Sequence, residues 1–413
     1  MKKGFSSFLS YPLMLALSGR RSRRVSRGIQ ANSGRSGDQR GTNDDALTAF
    51  ETKIVLSCVA GSTSWIHFVE MNPDYPLKAE HIPSDLMGRT YPSAGGWYPT
   101  TFFFTDDTGV HVLSRSVEAP LPDTVEEVNG PNIDLAGFTT KLTSNRLRIA
   151  PEYISAHNLK YANVEGSLLI LPVCDMSQIV LEMIALLVVN GGTVVDDIAQ
   201  QRLPNIHDLE VKLDLQRAMP VSAIERNALT LAASEMAIAC HNGMLVLQAM
   251  GLGGWMFSGF DSAGVLCGSR RGRKNGLGFR SMKHSGNSTP NIVGLDGILE
   301  GYCPPYYEEM DCAFDSLLNN KKAFIEAHLQ REGHLRKDYD NITTSGFGLS
   351  EAQTEVVKGI ATYMHSKYGR FPVTVPTMFL HNMLQAHHID LDYYLNSTND
   401  RWLEPHVLRA ENW

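Results

Sequence analysis

The apolar positions of this chain change their rhythm from segment to segment, and each rhythm predicts an element. Over ALTAFETKIVLSCVAG (46–61), Leu47, Phe50, Ile54, Val55 and Cys58 recur at helical spacing, which predicts an amphipathic helix closed by Gly61. Between 91 and 115 an aromatic run gives way to DDTG (106–109) and then to the alternating VHVLS. That pattern predicts a β-hairpin, with Gly109 taking the positive backbone angle of the turn. GSLLILPV (166–173) is a continuous apolar run, read as a buried strand entering a helix that Gly191 and Gly192 end.

The run from Glu225 to Met250 is apolar nearly all round, and Ala232, Ala233, Ala237, Ala239 and Gly243 keep it thin. Such a helix must be buried on most sides, and its small residues permit close packing by a second element, including one from another subunit. Beyond residue 300, two amphipathic patterns predict helices, the second capped by Ser350 and ended by Gly369. Strands and helices mix without a strict β-α repeat. The expected fold class is therefore α+β: a mixed sheet flanked by helices, a long buried central helix, and a helical C-terminal extension. Residues 1–300 are expected to form the main domain and 301–413 the extension, with 28–45, rich in Gly, Ser and Asp, as a flexible loop.

Composition narrows the function. With 413 residues, 43% of them hydrophobic, the chain can bury a large core. A formal charge of -7 argues against a general nucleic-acid binder, although RRSRR (20–24) and SRRGRK (269–274) are locally basic. The six cysteines are widely spaced with no C-x-x-C pair, so neither a zinc knuckle nor a disulfide framework is indicated. The first residues have a signal-peptide shape, but Ser6, Ser7, Ser10 and Pro12 interrupt the apolar stretch. No apolar run is long enough to span a bilayer. The expectation is a cytoplasmic protein without a membrane partner, export being the alternative.

The chemistry centres on GLGGWMFSGFD (251–261). A dinucleotide fingerprint requires strand, glycines, then helix; here the helix comes first and the glycines end it. Taken alone, Gly251 and Gly253 read as a helix C-cap leading into a buried strand, and Trp255 as core. In the company of two other segments the stretch resembles the nitroreductase superfamily of flavoproteins. RRSRR is similar to that superfamily's N-terminal R-x-S-x-R/K motif, and RTYPSAGGWYP (89–99) to its Pro-Ser-Ala-Gly segment, in the branch related to azoline-forming dehydrogenases. The likeness covers roughly residues 10–300; GYCPPYY, YGRFP and QAHHIDLDYY look like an extension of poorly characterised relatives.

The resemblance implies flavin mononucleotide (FMN), with NAD(P)H as reductant and an electron-poor acceptor such as a nitro compound or quinone, in a ping-pong cycle within a homodimer. It assigns Arg20, Ser22 and Arg24 to the phosphate, ribityl chain and pyrimidine edge, since arginine answers anionic groups with charge-assisted bonds. Pro92, Ser93, Ala94 and Gly95 would pass the ring's polar edge, where small residues permit close approach. Gly96 stands where many relatives have Asn. Ser258 and Gly259 match positions whose backbone lies near flavin N5, and Arg280 or Lys283 would supply a late cation for the phosphate. No general acid or base is called for, because the flavin does the chemistry.

Two rival readings belong to other classes. One is a non-enzymatic descendant that uses the fold for binding. The other is a metal site built from His381, His387, His388, Asp390 and Asp392. There is no H-E-x-x-H, however, and adjacent histidines on a terminal helix would point to different faces.

Overall fold

The computed structural model describes residues 13–27, 46–65, 87–113, 139–203, 215–268, 275–283, 290–332 and 349–412. The loop expected at 28–45 and the basic run 269–274 lie outside these residues.

A seven-stranded antiparallel sheet organises the molecule. Its strands are β3 (Thr100–Asp106), β4 (Gly109–Leu113), β5 (Thr139–Thr143), β6 (Leu168–Asp175), β10 (Gly253–Phe257), β14 (Met378–Phe379) and β15 (Met383–His387). The order is β10-β15-β6-β3-β4-β5, with β14 also pairing β6. The hairpin forms as predicted, Phe104 opposite His111 and Asp106 opposite Gly109. All residues of β6 are buried, as a continuous apolar run requires of a central strand. Small sheets surround it: β1 (Ser62–Trp65) with β2 (Met87–Arg89); β8 (Gln201–Arg202), β7 (Thr193–Asp196) and β9 (Ala218–Pro220); and β11 (Arg280–Met282), β12 (Asn291–Leu295) and β13 (Leu299–Glu300). Parallel pairing occurs, among the described residues, between β7 and β9.

The helices are α1 (Leu13–Gly19), α2 (Ala49–Ala60), α3 (Met176–Val189), α4 (Val221–Ala249), α5 (Ser262–Cys267), α6 (Met310–Glu332), α7 (Glu351–Tyr368), α8 (Leu391–Ser397) and α9 (Glu404–Asn412). α4 runs through both hydrophobic cores. Its N-terminal half, with Ala228, Ala232 and Met236, packs among α3, α6 and α7. Its C-terminal half, with Ala239, Cys240, Met244 and Leu247, packs with α2 against the sheet. Gly243 is the crossing point. A Cβ there would stand 2.2 Å from Leu384 and 2.8 Å from Val59, so the thin stripe read in the sequence is what lets helix and sheet approach.

The C-terminal stretch forms the expected helices and also gives strands to the sheet. α6 and α7 form, with Ser350 and Gly369 capping α7, but β15 inserts between β10 and β6. The segment holding His387 is therefore a central strand, not a terminal helix. MLQAH is too short for a helical period to be read, and it is buried on both faces, so no alternation marks it. A boundary at residue 300 would cut the sheet.

The last helix is tied back by a buried charge cluster. Glu51, on the first turn of α2, accepts in a capping box with Thr48 and meets both His388, at 3.0 Å, and Arg409. The Glu51 carboxyl is held at about 2: burial alone would raise it, but the hydrogen bond to His388 and the charge of Arg409 outweigh that.

Candidate functional site

Residues 20–27 are stitched into the sheet end rather than left as a basic tail. The Arg23 N–H donates to the Gly254 carbonyl at 3.2 Å and the Gly254 N–H donates back to Arg23 at 2.9 Å, while the Arg27 N–H donates to the His388 carbonyl at 2.9 Å. The best-committed cation is Arg23, which the sequence motif skips. Its buried guanidinium donates to Gln248 Oε1 at 2.7 Å and to Asp400 Oδ2 at 2.8 Å. Burial pushes its pKa down and Asp400 opposes the shift. Only the chain fold brings Asp400 here, so no local signal in RRSRR distinguishes Arg23 from its neighbours.

Arg20 and Arg24, on either side, are half-buried, and among the described residues neither makes an ion pair. The Arg24 guanidinium carbon lies 5.6 Å from the centroid of the Trp255 ring, a cation–π contact. Arg20 lies near enough to His241 of α4 to act on it: burial first, and then the Arg20 charge, push that imidazole pKa down. Ser22 is exposed.

The second motif segment reaches the same part of α4. Asn242 Nδ2 donates to the Thr90 carbonyl at 2.6 Å, which holds the strand leading into Pro92. Pro92, Ala94 and Gly95 are exposed, and Ser93 is half-buried. They form a tight turn in which Gly95 (φ 68°) and Gly96 (φ 64°) are left-handed. Ser93 Oγ accepts the Tyr98 N–H at 3.0 Å, so this hydroxyl is spent on the turn. Two buried polar atoms, Thr90 Oγ1 and Trp255 Nε1, have no hydrogen-bond partner among the described residues, a state uncommon in folded proteins.

The glycines behind α4 end the helix, and the chain itself packs against them. Gly251 (φ 68°) ends the helix, and a Cβ there would meet the Pro405 carbonyl at 2.3 Å. A Cβ on Gly253 would meet Ile389 at 2.2 Å, and one on Gly254 would meet the Gln385 carbonyl at 2.0 Å. The chain's own C-terminal segments fill the space these glycines leave. Trp255 is fully buried, as read from the sequence.

Ser258 and Gly259 lie past the other end of β10, about 13 Å of extended strand from Gly254. Ser258 is exposed. Gly259 accepts the Ser155 N–H at 2.9 Å, and a Cβ on it would fall 2.5 Å from Ser155 Oγ. Arg280 and Lys283 are exposed on and just after β11; Arg280 faces Asp296 at 3.9 Å. That sheet is separate from the seven-stranded one to which Arg23 is bridged through Gly254.

The histidines of the metal reading diverge. His381 is exposed and stacks on Phe379 at 5.7 Å. His387 is buried edge-on to Trp255, with its pKa pushed down to about 3 by burial. His388 serves Glu51, and Asp390 caps α8 by accepting the Tyr393 N–H at 2.9 Å. Among the described residues no group of three or more His, Cys, Asp or Glu converges as a metal site would require. No described helix is long and apolar enough to cross a membrane.

No family model and no curated protein matches this chain. Among solved structures, it is similar to a crystal structure from Ralstonia eutropha JMP134 provisionally described as a nitroreductase, at 13% identity and a TM-score of 0.30. The alignment covers 61% of this chain and 71% of that one. A superposition this loose carries no argument about chemistry.

Against the implied cofactor, the residues fit at one end. Two half-buried guanidiniums that make no ion pair among the described residues suit a phosphate dianion. The glycines do not suit the ring, because protein already occupies them.

Proposed function

We propose that this protein is a flavin-dependent oxidoreductase that uses FMN, takes electrons from NAD(P)H and passes them to an electron-poor acceptor in a ping-pong cycle. One observation carries the reading. Segments distant in sequence, Arg20–Arg24 and Thr90–Gly95, converge on the Arg20/His241 and Thr90/Asn242 turn of α4, where Arg20 and Arg24 make no ion pair among the described residues.

In this reading Arg20 and Arg24 hold the phosphate, and the buried Arg23–Asp400 pair fixes the backbone that presents them. Ser22, exposed between them, is left for the ribityl hydroxyls. Pro92 to Gly95 offer small side chains to a ring edge, and Ser258 with Gly259 offer backbone without bulk. Bound FMN would supply hydride transfer at its N5 position. Arg280 and Lys283 would serve only if a second subunit brought them near. A homodimer fits the outward stripe of α4, where Ile238 is exposed and Ala237, His241 and Leu245 are half-buried. The closed packing over Gly251, Gly253 and Gly254 favours the second reading, a binding protein that no longer uses the ring.

The test is the visible absorption spectrum of the purified protein, with the released chromophore identified by mass. FMN bound by wild type and lost in Arg20→Ala/Arg24→Ala supports the oxidoreductase. A protein that stays colourless after incubation with excess FMN overturns it and leaves the binding reading.

A further inference from the structure

α1 is built inside out. Its small residues, Ala16 and Gly19, face the protein, and a Cβ on Gly19 would stand 2.8 Å from Gln248 Nε2 and 3.3 Å from Trp402. Its large apolar residues face away: Leu13 is 63% exposed, Met14 69% and Leu17 42%. At 3.6 residues per turn these three share one face, and Arg21 follows two residues past the helix end. Arg21 is exposed and donates to the Ser18 and Arg20 carbonyls at 2.9 Å, closing the helix end with a cation. Leu15 turns toward a cleft of about 320 Å³ lined by Arg401, Trp402, Glu404 and Pro405.

Exposed large apolar side chains grouped on one short helix mark a docking surface, not ordinary scatter. Charge decides the occupant. Lys2, Lys3, Arg20, Arg21, Arg24 and Arg27 surround the patch in sequence, Arg23 being buried against Asp400, and no Asp or Glu precedes Asp38, although the whole chain is formally -7. A two-fold dimer through this face would bring two copies of the same basic segment together, which disfavours it. An anionic surface would be attracted. Leucine and methionine in contact with the interface beside arginines, with Trp402 at the margin, is the composition of a segment lying in a lipid headgroup layer.

We propose that the Leu13–Met14–Leu17 face of α1, with Arg21, docks this protein peripherally on an anionic lipid bilayer. α1 is about 10 Å long, so the contact is shallow and reversible. It revises the expectation of a protein without a membrane partner, and it does not depend on flavin binding.

The experiment is co-sedimentation of the full chain with vesicles of phosphatidylcholine alone and of phosphatidylcholine with about one-third phosphatidylglycerol. Wild type should pellet with the anionic vesicles only, and release when salt is raised to about 0.5 M. Leu13→Gln/Met14→Gln, both at exposed positions and so neutral to the fold, should weaken pelleting at least about tenfold. Arg21→Glu should act in the same direction, and Leu186→Gln, at an exposed leucine on α3, should change nothing. Equal pelleting of wild type and the double variant, or none by either, overturns the proposal. So does concentration-dependent self-association that the double variant abolishes without any vesicle binding; that result gives the face to a second copy.

Discussion

The Glu51 cluster makes a quantitative claim about acid stability. Glu51 is fully buried with its carboxyl at about 2 against an ordinary 4.5. A carboxylate depressed in the folded state adds stability that is complete above the unfolded pKa and is lost as pH falls through the folded one. The difference is worth about 3 kcal/mol when fully expressed, of which about 2 kcal/mol should be gone by pH 3. Glu51→Gln keeps the capping geometry, because glutamine serves at the third helical position, but removes the charge facing His388 and Arg409. Urea unfolding of both proteins between pH 7 and 3 is the assay. The variant should be about 3 kcal/mol less stable at pH 7, with the gap closing to about 1 kcal/mol at pH 3. Parallel profiles would refute the reasoning, since they would mean that the cluster adds no pH-dependent stability.

Glycine substitutions separate close approach from open space. Gly254→Ala, at φ 149° with the Gln385 carbonyl 2.0 Å from the new Cβ, should destabilise by several kcal/mol, roughly the cost of strain plus overpacking. Gly359→Ala, within α7 and with nothing within 4 Å, should stabilise by about 1 kcal/mol; thermal melts distinguish the two signs. His387, held near 3 by burial, adds stability that is present above its unfolded pKa of about 6.5 and lost as pH falls toward 3. His387→Leu should therefore flatten the urea-unfolding profile between those pH values. Removal of residues 301–413 should abolish cooperative unfolding, because it takes away β15, leaving β10 without its strand partner and one edge of β6 open; a truncated chain with a sharp melt would show that the sheet closes without it.

Periodicity made the strongly patterned elements legible. α4, α7, the β3–β4 hairpin and β6 all show their period over enough residues, or carry turn and cap residues that fix their ends. What stayed hidden is long-range and short. β15 has five residues, and its neighbours β10 and β6 are far away in sequence. Nothing local marks Glu51 as a buried charge, because His388 and Arg409, which compensate it, come from the far end of the chain.

The candidate site divides along the same line. The motif segments single out Arg20, Arg24 and Thr90–Gly95, because local residue types mark a basic segment and a tight turn. They could not say which arginine would be buried, since that depends on Asp400 and Gln248. The glycines of GLGG are the instructive case: a glycine signals that something approaches its backbone closely, and here that something is Pro405, Ile389 and Gln385. A close-approach signal names the host but not the guest. The same C-terminal segments that fill those glycines also pair Arg23 and neutralise Glu51. Any ligand held by Arg20 and Arg24 therefore rests on a platform that the last thirty or so residues assemble, and disturbing that platform should loosen the ligand and the fold together.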